Sequence, residues 1–235
     1  MQKVFTHITT IGIRLMENPR PKDKHEKFTP FIYPIKQKQK LNKEFDRREE
    51  DFLKVFFARR SYNEFSGISI AEVEELLFYS SHIMAGSMDE FGFFLTKRVA
   101  PSAGARHPID LLISLPEAIS KRALSYYNPV EHTLSELSIK KTKAVNFFKE
   151  INQNLSIENA CIIWFSIQSR KTSSKYHNPE SLYWRDAGAL LYCIQLVACF
   201  LNLKSCPLGS LAANTFYELF DTTELLSGGG ILIGK

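Results

Sequence analysis

The chain is poor in sulfur chemistry. Its four cysteines, at 161, 193, 199 and 206, form no Cys-x-x-Cys pair and no His/Cys spacing of a zinc site, so neither a dithiol redox centre nor structural zinc organises it. Three of them lie in or beside apolar runs, which reads as reduced, buried thiols of a cytoplasmic protein. No apolar run reaches the roughly 20 residues that a membrane span needs. The longest, Ala187 to Leu201, contains Gln195. The opening residues Met1-Gln2-Lys3-Val4-Phe5 show no long apolar h-region, so no secretory signal is expected. There is no internal repeat, which excludes solenoids and propellers.

What is present is ordinary globular composition. The 235 residues, 44% hydrophobic and 23% charged, suffice for one sizeable core or two small ones. The net charge of +5 is mild and uneven, with Lys and Arg concentrated between Met1 and Lys54 in clusters such as 19–24 and 36–40. A basic stripe without aromatic or helical organisation behind it reads as a solvated or partner-binding arm, not a nucleic-acid surface. Pro19, Pro21, Pro30 and Pro34 extend that arm over residues 1–48, and Phe28, Phe31, Ile32 and Tyr33 are its candidate anchors. Residues 49–235 form the folded domain.

Within the domain, Phe45, Phe52, Val55 and Phe56 predict a helix over 44–58. Ser69 and Glu72 form a capping box for a helix over 69–85, closed by Gly86. Phe91 to Val99 reads as a strand, as do the buried runs 109–115 and 160–167. Leu134 to Asn152 has the mixed pattern of a surface helix. A long helix over 182–202 is apolar on nearly every side after Ala187, hence buried either in the core or against a second subunit. Gly228-Gly229-Gly230 followed by 231–235 reads as a flexible turn and a short strand. The order of elements implies an α+β fold with central strands wrapped by helices.

Two short segments carry chemistry. Pro101-Ser102-Ala103-Gly104-Ala105-Arg106-His107-Pro108 is a proline-bracketed loop whose small residues let backbone N–H groups approach a flat or anionic ligand. Arg59-Arg60-Ser61 supplies the donors that a phosphate needs. Together they point to a planar, phosphorylated cofactor. His107 and His132 can titrate near neutrality and read either as orienting or as structural groups. Asp186 reads as a capping or pairing group near the start of the long helix, not a catalytic one.

In this order the motifs resemble the nitroreductase-like FMN proteins, and among them the SagB-type dehydrogenase branch. The resemblance spans about Phe52 to Lys235. It rests on Arg59-Arg60-Ser61 with Phe65, on Lys97-Arg98-Val99-Ala100 leading into Pro101-Ser102-Ala103-Gly104, and on His107-Pro108-Ile109-Asp110-Leu111. Tyr126-Tyr127-Asn128-Pro129 with His132 and Leu134, Arg185-Asp186-Ala187-Gly188-Ala189-Leu190-Leu191 and Ser205-Cys206-Pro207-Leu208-Gly209 complete it.

The resemblance implies a mostly antiparallel central sheet wrapped by helices, in an intertwined homodimer with FMN at the interface and no metal. It assigns Arg59, Arg60 and Ser61 to the phosphate, ribityl chain and pyrimidine edge, with Asn63 where a further basic residue is common. It assigns Pro101, Ser102, Ala103 and Gly104 to the isoalloxazine face or edge, and Pro207, Leu208 and Gly209 to its other side. Lys235 either reaches the phosphate or frays. Lys175-Tyr176 resembles the branch's catalytic pair, a base with an orienting tyrosine; a polar loop is the alternative.

The implied reaction is dehydrogenation of thiazoline or oxazoline rings in a ribosomally made peptide. The arm would then recruit a precursor peptide or a cyclodehydratase. An NAD(P)H-dependent nitro or quinone reductase and a non-catalytic scaffold are the alternatives. The chain departs from the family pattern at Asn63, at His177-Asn178-Pro179 after the Lys-Tyr pair, and at Ala189.

Overall fold

Eight consecutive buried residues, Cys161 to Gln168, set the centre of the molecule. A run apolar on both alternating faces demands cover on both sides, and the fold supplies it. A computed structural model describes residues 17–46, 48–153 and 155–235; the first sixteen residues of the basic arm, Arg47 and Asn154 lie outside the described residues. The strands are β1 (Arg20–Pro21), β2 (Ile35–Lys40), β3 (Ala85–Met88), β4 (Phe94–Lys97), β5 (Ile109–Ser114), β6 (Ser125–Asn128), β7 (Thr133–Leu137), β8 (Cys161–Gln168), β9 (Tyr176–His177), β10 (Lys204–Leu208) and β11 (Leu225–Gly234). The helices are α1 (Phe52–Ala58), α2 (Ile70–Ser81), α3 (Lys141–Ile151), α4 (Ser169–Ser173), α5 (Glu180–Phe200) and α6 (Ala213–Phe220).

The main sheet has seven strands in the order β10-β11-β8-β5-β6-β7-β2, and every neighbouring pair is antiparallel. Side chains alternate across it. Ile163, Phe165 and Ile167 join Val73, Leu76 and Leu77 of α2 and Ile194 and Ala198 of α5 in one core. Ile162 and Trp164 point the other way, into Phe147 and Phe148 of α3 and Phe216 and Leu219 of α6. The sheet is therefore covered on both faces, as the α+β expectation required. No helix among the described residues is long and apolar enough to cross a membrane.

Several local expectations shift. The helix expected over 69–85 is capped as read: Ser69 Oγ accepts from the Glu72 N–H at 3.3 Å and the Glu72 carboxylate accepts from the Ser69 N–H at 2.9 Å. It ends at Ser81, however, and Gly86 lies in β3 under Phe94 instead of closing the helix. The helix over 44–58 is confined to α1, because Asp51 accepts the Lys54 N–H and starts it there. The helix expected over 134–152 splits. Thr133 to Leu137 pairs with β6 as strand β7, and only Lys141 to Ile151 is helical. Leu134 and Leu137, three apart, mimic helical spacing, but cross-strand pairing overrides it.

The glycine-rich tail is no flexible turn. It forms β11, which pairs with β8 through a register shift between Ser227 and Gly230. Within the arm, Ile35 to Lys40 is the sheet's outer strand. It is exposed along its whole length and studded with Lys and Gln, a composition that blunts an open edge.

Candidate functional site

After β4 the chain runs through Pro101 to Pro108 in a tight turn. Ala103 to Ala105 form one turn of 3-10 helix, and Gly104, Ala105 and His107 all adopt left-handed backbone angles (φ 60°, 55° and 42°). Such angles cost an alanine or histidine about 1–3 kcal/mol, so the surroundings must hold them. Asp186, near the start of α5, does much of this. Its carboxylate accepts the Ser102 hydroxyl at 2.5 Å and the Ala103 N–H at 3.2 Å, while the Ser102 Oγ accepts the His107 N–H at 2.8 Å. Asp186 thus pairs with this turn and does not cap α5, whose N-cap is Pro179, because it lies more than a turn inside the helix. Burial raises its carboxyl above the ordinary range, and the Ser102 and Ala103 donors oppose that shift.

Lys175 and Tyr176 converge on the same turn. A methyl group placed on Gly104 would lie 2.8 Å from Lys175 Nζ and 2.8 Å from Tyr176 Oη, so only glycine leaves room for both. Among the described residues no carboxylate pairs with Lys175. Its backbone is tied down from the arm: Arg20 and Pro21 pair with His177 and Tyr176, and the N–H groups of Lys22 and Glu26 donate to the carbonyls of Lys175 and Ser174, each at 2.8 Å. His107 Nε2 meets the Thr96 carbonyl at 3.0 Å. Burial, reinforced by Arg98, lowers its pKa to about 4, so it is neutral at physiological pH. His132 is fully buried against the Tyr127 hydroxyl at 2.8 Å, a structural position remote from this turn's bonds.

The phosphate-type donors gather elsewhere. Arg59 is the C-cap of α1 and lies close to Cys199 at the end of α5. Arg60 shares a cavity of about 300 Å³ with Tyr62, Lys204 and Ser205. The Tyr62 N–H donates to the Ser205 carbonyl at 3.0 Å, which fixes Arg60, Ser61 and Asn63 beside the first residues of β10. Pro207 and Leu208 finish that strand and Gly209 follows it in open space. Lys235 is anchored next to this segment: its N–H donates to the Gly67 carbonyl, its carbonyl accepts from the Ser66 N–H, and its ammonium pairs with Glu72 at 3.0 Å.

The expected site residues therefore fall into two groups. Pro101 to Gly104 meet Lys175 and Tyr176 near Asp186; Arg59, Arg60, Ser61 and Asn63 lie beside β10 near Cys199, and Lys235 is held by Ser66, Gly67 and Glu72. Asp186 and Cys199 are thirteen positions apart along α5, a span of about 20 Å at 1.5 Å per residue. Sequence reading missed Lys204, Tyr62 and a network around Asp110, whose carboxylate holds Lys171 at 2.9 Å, Gln168 at 2.5 Å and the Tyr33 hydroxyl at 3.1 Å. A carboxylate inside the apolar run Ile109 to Ile113 was the available signal, since a buried charge demands partners.

Neither a family sequence model nor a curated protein matches the chain. Solved structures do. A protein of Ralstonia eutropha assigned as a nitroreductase superposes with a TM-score of 0.65 at 16% identity, over 93% of this chain and 98% of that one. The chain has the nitroreductase fold. A chain of the E. coli microcin synthetase McbBCD complex, solved with truncated pro-MccB17 bound, shares the fold at a TM-score of 0.58 and 14% identity, over 100% of this chain and 91% of that one. A protein of Anabaena variabilis, also assigned as a nitroreductase, aligns at a TM-score of 0.53 and 16% identity, over 79% of this chain and 36% of that one. The match thus takes in about a third of that longer chain.

Proposed function

We propose that the protein is an FMN-dependent oxidoreductase of the SagB type, working as a homodimer and dehydrogenating thiazoline or oxazoline rings carried on a ribosomally made peptide. The observation that carries this reading is the meeting of Lys175 Nζ and Tyr176 Oη over Gly104. A base and a phenol face a turn with no side chain at its centre, which is what a flat redox group and a ring-borne proton require together. The separation of the two residue groups along α5 supports the homodimer, because one copy would contribute the arginines and the other the turn to each cofactor.

The residues fit FMN chemically. Arg59 and Arg60 have no carboxylate partner among the described residues and match phosphate oxygens in fork geometry. Ser61 and Asn63 add neutral donors, and Pro101 to Gly104 offer the small profile an isoalloxazine ring needs. Pro207 to Gly209 would close its other side. The ammonium of Lys235 is engaged with Glu72, so a phosphate would have to compete for it. FMN, when bound, supplies a two-electron acceptor. Lys175 would take the ring proton, Tyr176 would orient it, and Asp186 would keep the turn in register. The arm, residues 1–48, would serve peptide or cyclodehydratase recruitment to the 49–235 domain. The McbBCD likeness, a synthetase with a pro-peptide bound, supports a peptide-borne substrate.

The Ralstonia likeness favours a second reading, an NAD(P)H-dependent nitro or quinone reductase. Spectroscopy separates the readings. Purified protein should bind FMN and show a flavin spectrum, and anaerobic NAD(P)H should leave it yellow if the first reading holds and bleach it if the second does. Lys175→Ala should keep the flavin and lose turnover. Protein that stays apo with excess FMN ends both readings in favour of a non-catalytic scaffold.

A further inference from the structure

Three arginines lose most of their water in this fold, and they differ in what replaces it. Arg122 donates to the carbonyls of Ser114, Leu115, Ile157, Glu158 and Ala160, a structural clamp. Arg106 lies 3.9 Å over the Phe93 ring, donates to His25 Nδ1 at 3.0 Å and faces Asp89 at 3.8 Å. Arg98 has far less. Its Nε donates to Thr96 Oγ1 at 3.1 Å, and among the described residues no carboxylate lies within ion-pair distance of its guanidinium. The nearby Asp110 is already occupied by Lys171, Gln168 and Tyr33. Burial pulls the Arg98 guanidinium down from its ordinary value, and the Asp110 charge opposes that shift from beyond ion-pair distance.

Arg98 lines a cavity of about 550 Å³ between the arm and the β3–β4 hairpin. That volume is in the range of small-molecule sites. Phe31, Tyr33, Phe93, Phe94 and Tyr126 give it aromatic walls, and its lining carries three cations (Arg98, Arg106 and Lys171) and one carboxylate, Asp110, which pairs with Lys171. His107 belongs both to this lining and to the turn that Lys175 meets. A neutral apolar ligand would leave Arg98 without an ion-pair partner; a small hydrated anion would leave the aromatic walls unfilled.

We infer that this cavity binds the carboxylate of a ligand whose body is aromatic or apolar, with Arg98 as the fork that reads the carboxylate. The arm forms one wall, so its residues 28–33 belong to a binding site. That the ligand is the substrate, held beside the turn by its acid group, rests on the oxidoreductase reading; the binding itself does not.

Calorimetric titration of the full chain, with and without FMN, tests this using 3-phenylpropionate, 3-phenylpropanamide and inorganic phosphate as probes. The carboxylate should bind about 10-fold or more tightly than the amide, and phosphate should not bind in this cavity. Arg98→Met should erase the preference for the acid over the amide. Arg98→Lys should retain part of it, and this second variant decides the matter if the first fails to fold. Equal affinity for acid and amide, no binding of either, phosphate binding that Arg98→Met abolishes, or a preference that survives in Arg98→Met overturns the inference. Failure to bind FMN would sink the flavin reading and leave the probe result standing.

Discussion

At the scale of single residues, the candidate site is held by small groups in costly conformations. Gly104 is the clearest. Replacing it with Ala adds a left-handed backbone penalty of about 1 kcal/mol and a methyl group where Lys175 Nζ and Tyr176 Oη now sit, 2.8 Å away. Both are ends of long side chains that can swing aside, so Gly104→Ala should melt only slightly lower while losing most of its turnover, measured by calorimetry and by steady-state assay. Asp186→Ala leaves the Ser102 hydroxyl and Ala103 N–H without their acceptor and should cost about 1–3 kcal/mol by denaturant titration.

His107 makes a pH prediction. Its pKa falls from 6.5 unfolded to about 4 folded, so between those values the unfolded chain binds the extra proton. Stability contributed by its neutral form is present above 6.5 and is lost as pH falls through about 4. Thermal melts of His107→Gln should therefore show a flatter acid limb across that window than the parent, and identical limbs would contradict the assignment. These residues were visible as a motif in the sequence, but the inward cation beside them was not. Arg98 stood plainly in Lys97-Arg98-Val99, yet no string of residues says which carboxylates are already taken.

At the scale of elements, legibility followed burial. β5 and β8 were readable because every position in them is apolar or enclosed. α2 was readable from Ser69 and Glu72, whose bonds match the expected capping box, and Ser69→Ala should cost about 1 kcal/mol by thermal melting. β2 escaped because an edge strand with both faces in water carries Lys and Gln and shows no apolar alternation. β11 escaped for the opposite reason. Its glycines read as a turn, but they are there because the sheet is crowded: a methyl group on Gly230 would lie 2.6 Å from Trp164 Cε3 and 2.8 Å from the Ile163 carbonyl. Gly230→Ala should destabilise the protein by about 1–3 kcal/mol, read from the denaturation midpoint.

At the scale of the whole molecule, the shared-cofactor reading proposed above would need a second copy to bring together the two groups of site residues spaced along α5. The exposed side of α1 offers a surface for it, with Phe52, Leu53 and Phe57 left 67%, 58% and 70% accessible beside Arg59. Sedimentation should find a dimer, and Phe57→Asp should shift it toward monomer and weaken FMN binding together. A monomer that binds FMN as tightly as the parent would refute the shared site. The nitroreductase fold was legible from the order of motifs. Their division between two ends of a helix was not, because sequence order carries no record of distance.

The arm's attachment to Ser174, Lys175 and Tyr176 has one more consequence. It joins residues some 150 positions apart through a handful of backbone bonds, and contacts of such long separation are entropically the slowest to form. The Lys-Tyr pair should thus acquire its final backbone fastening late in folding and surrender it early on destabilisation. In native-state hydrogen exchange, the amides of Lys22 and Glu26 should open at far lower free energy than those of β8, with the protein otherwise folded. The fastening of the Lys-Tyr pair would then have a stability of its own, smaller than that of the fold which carries it.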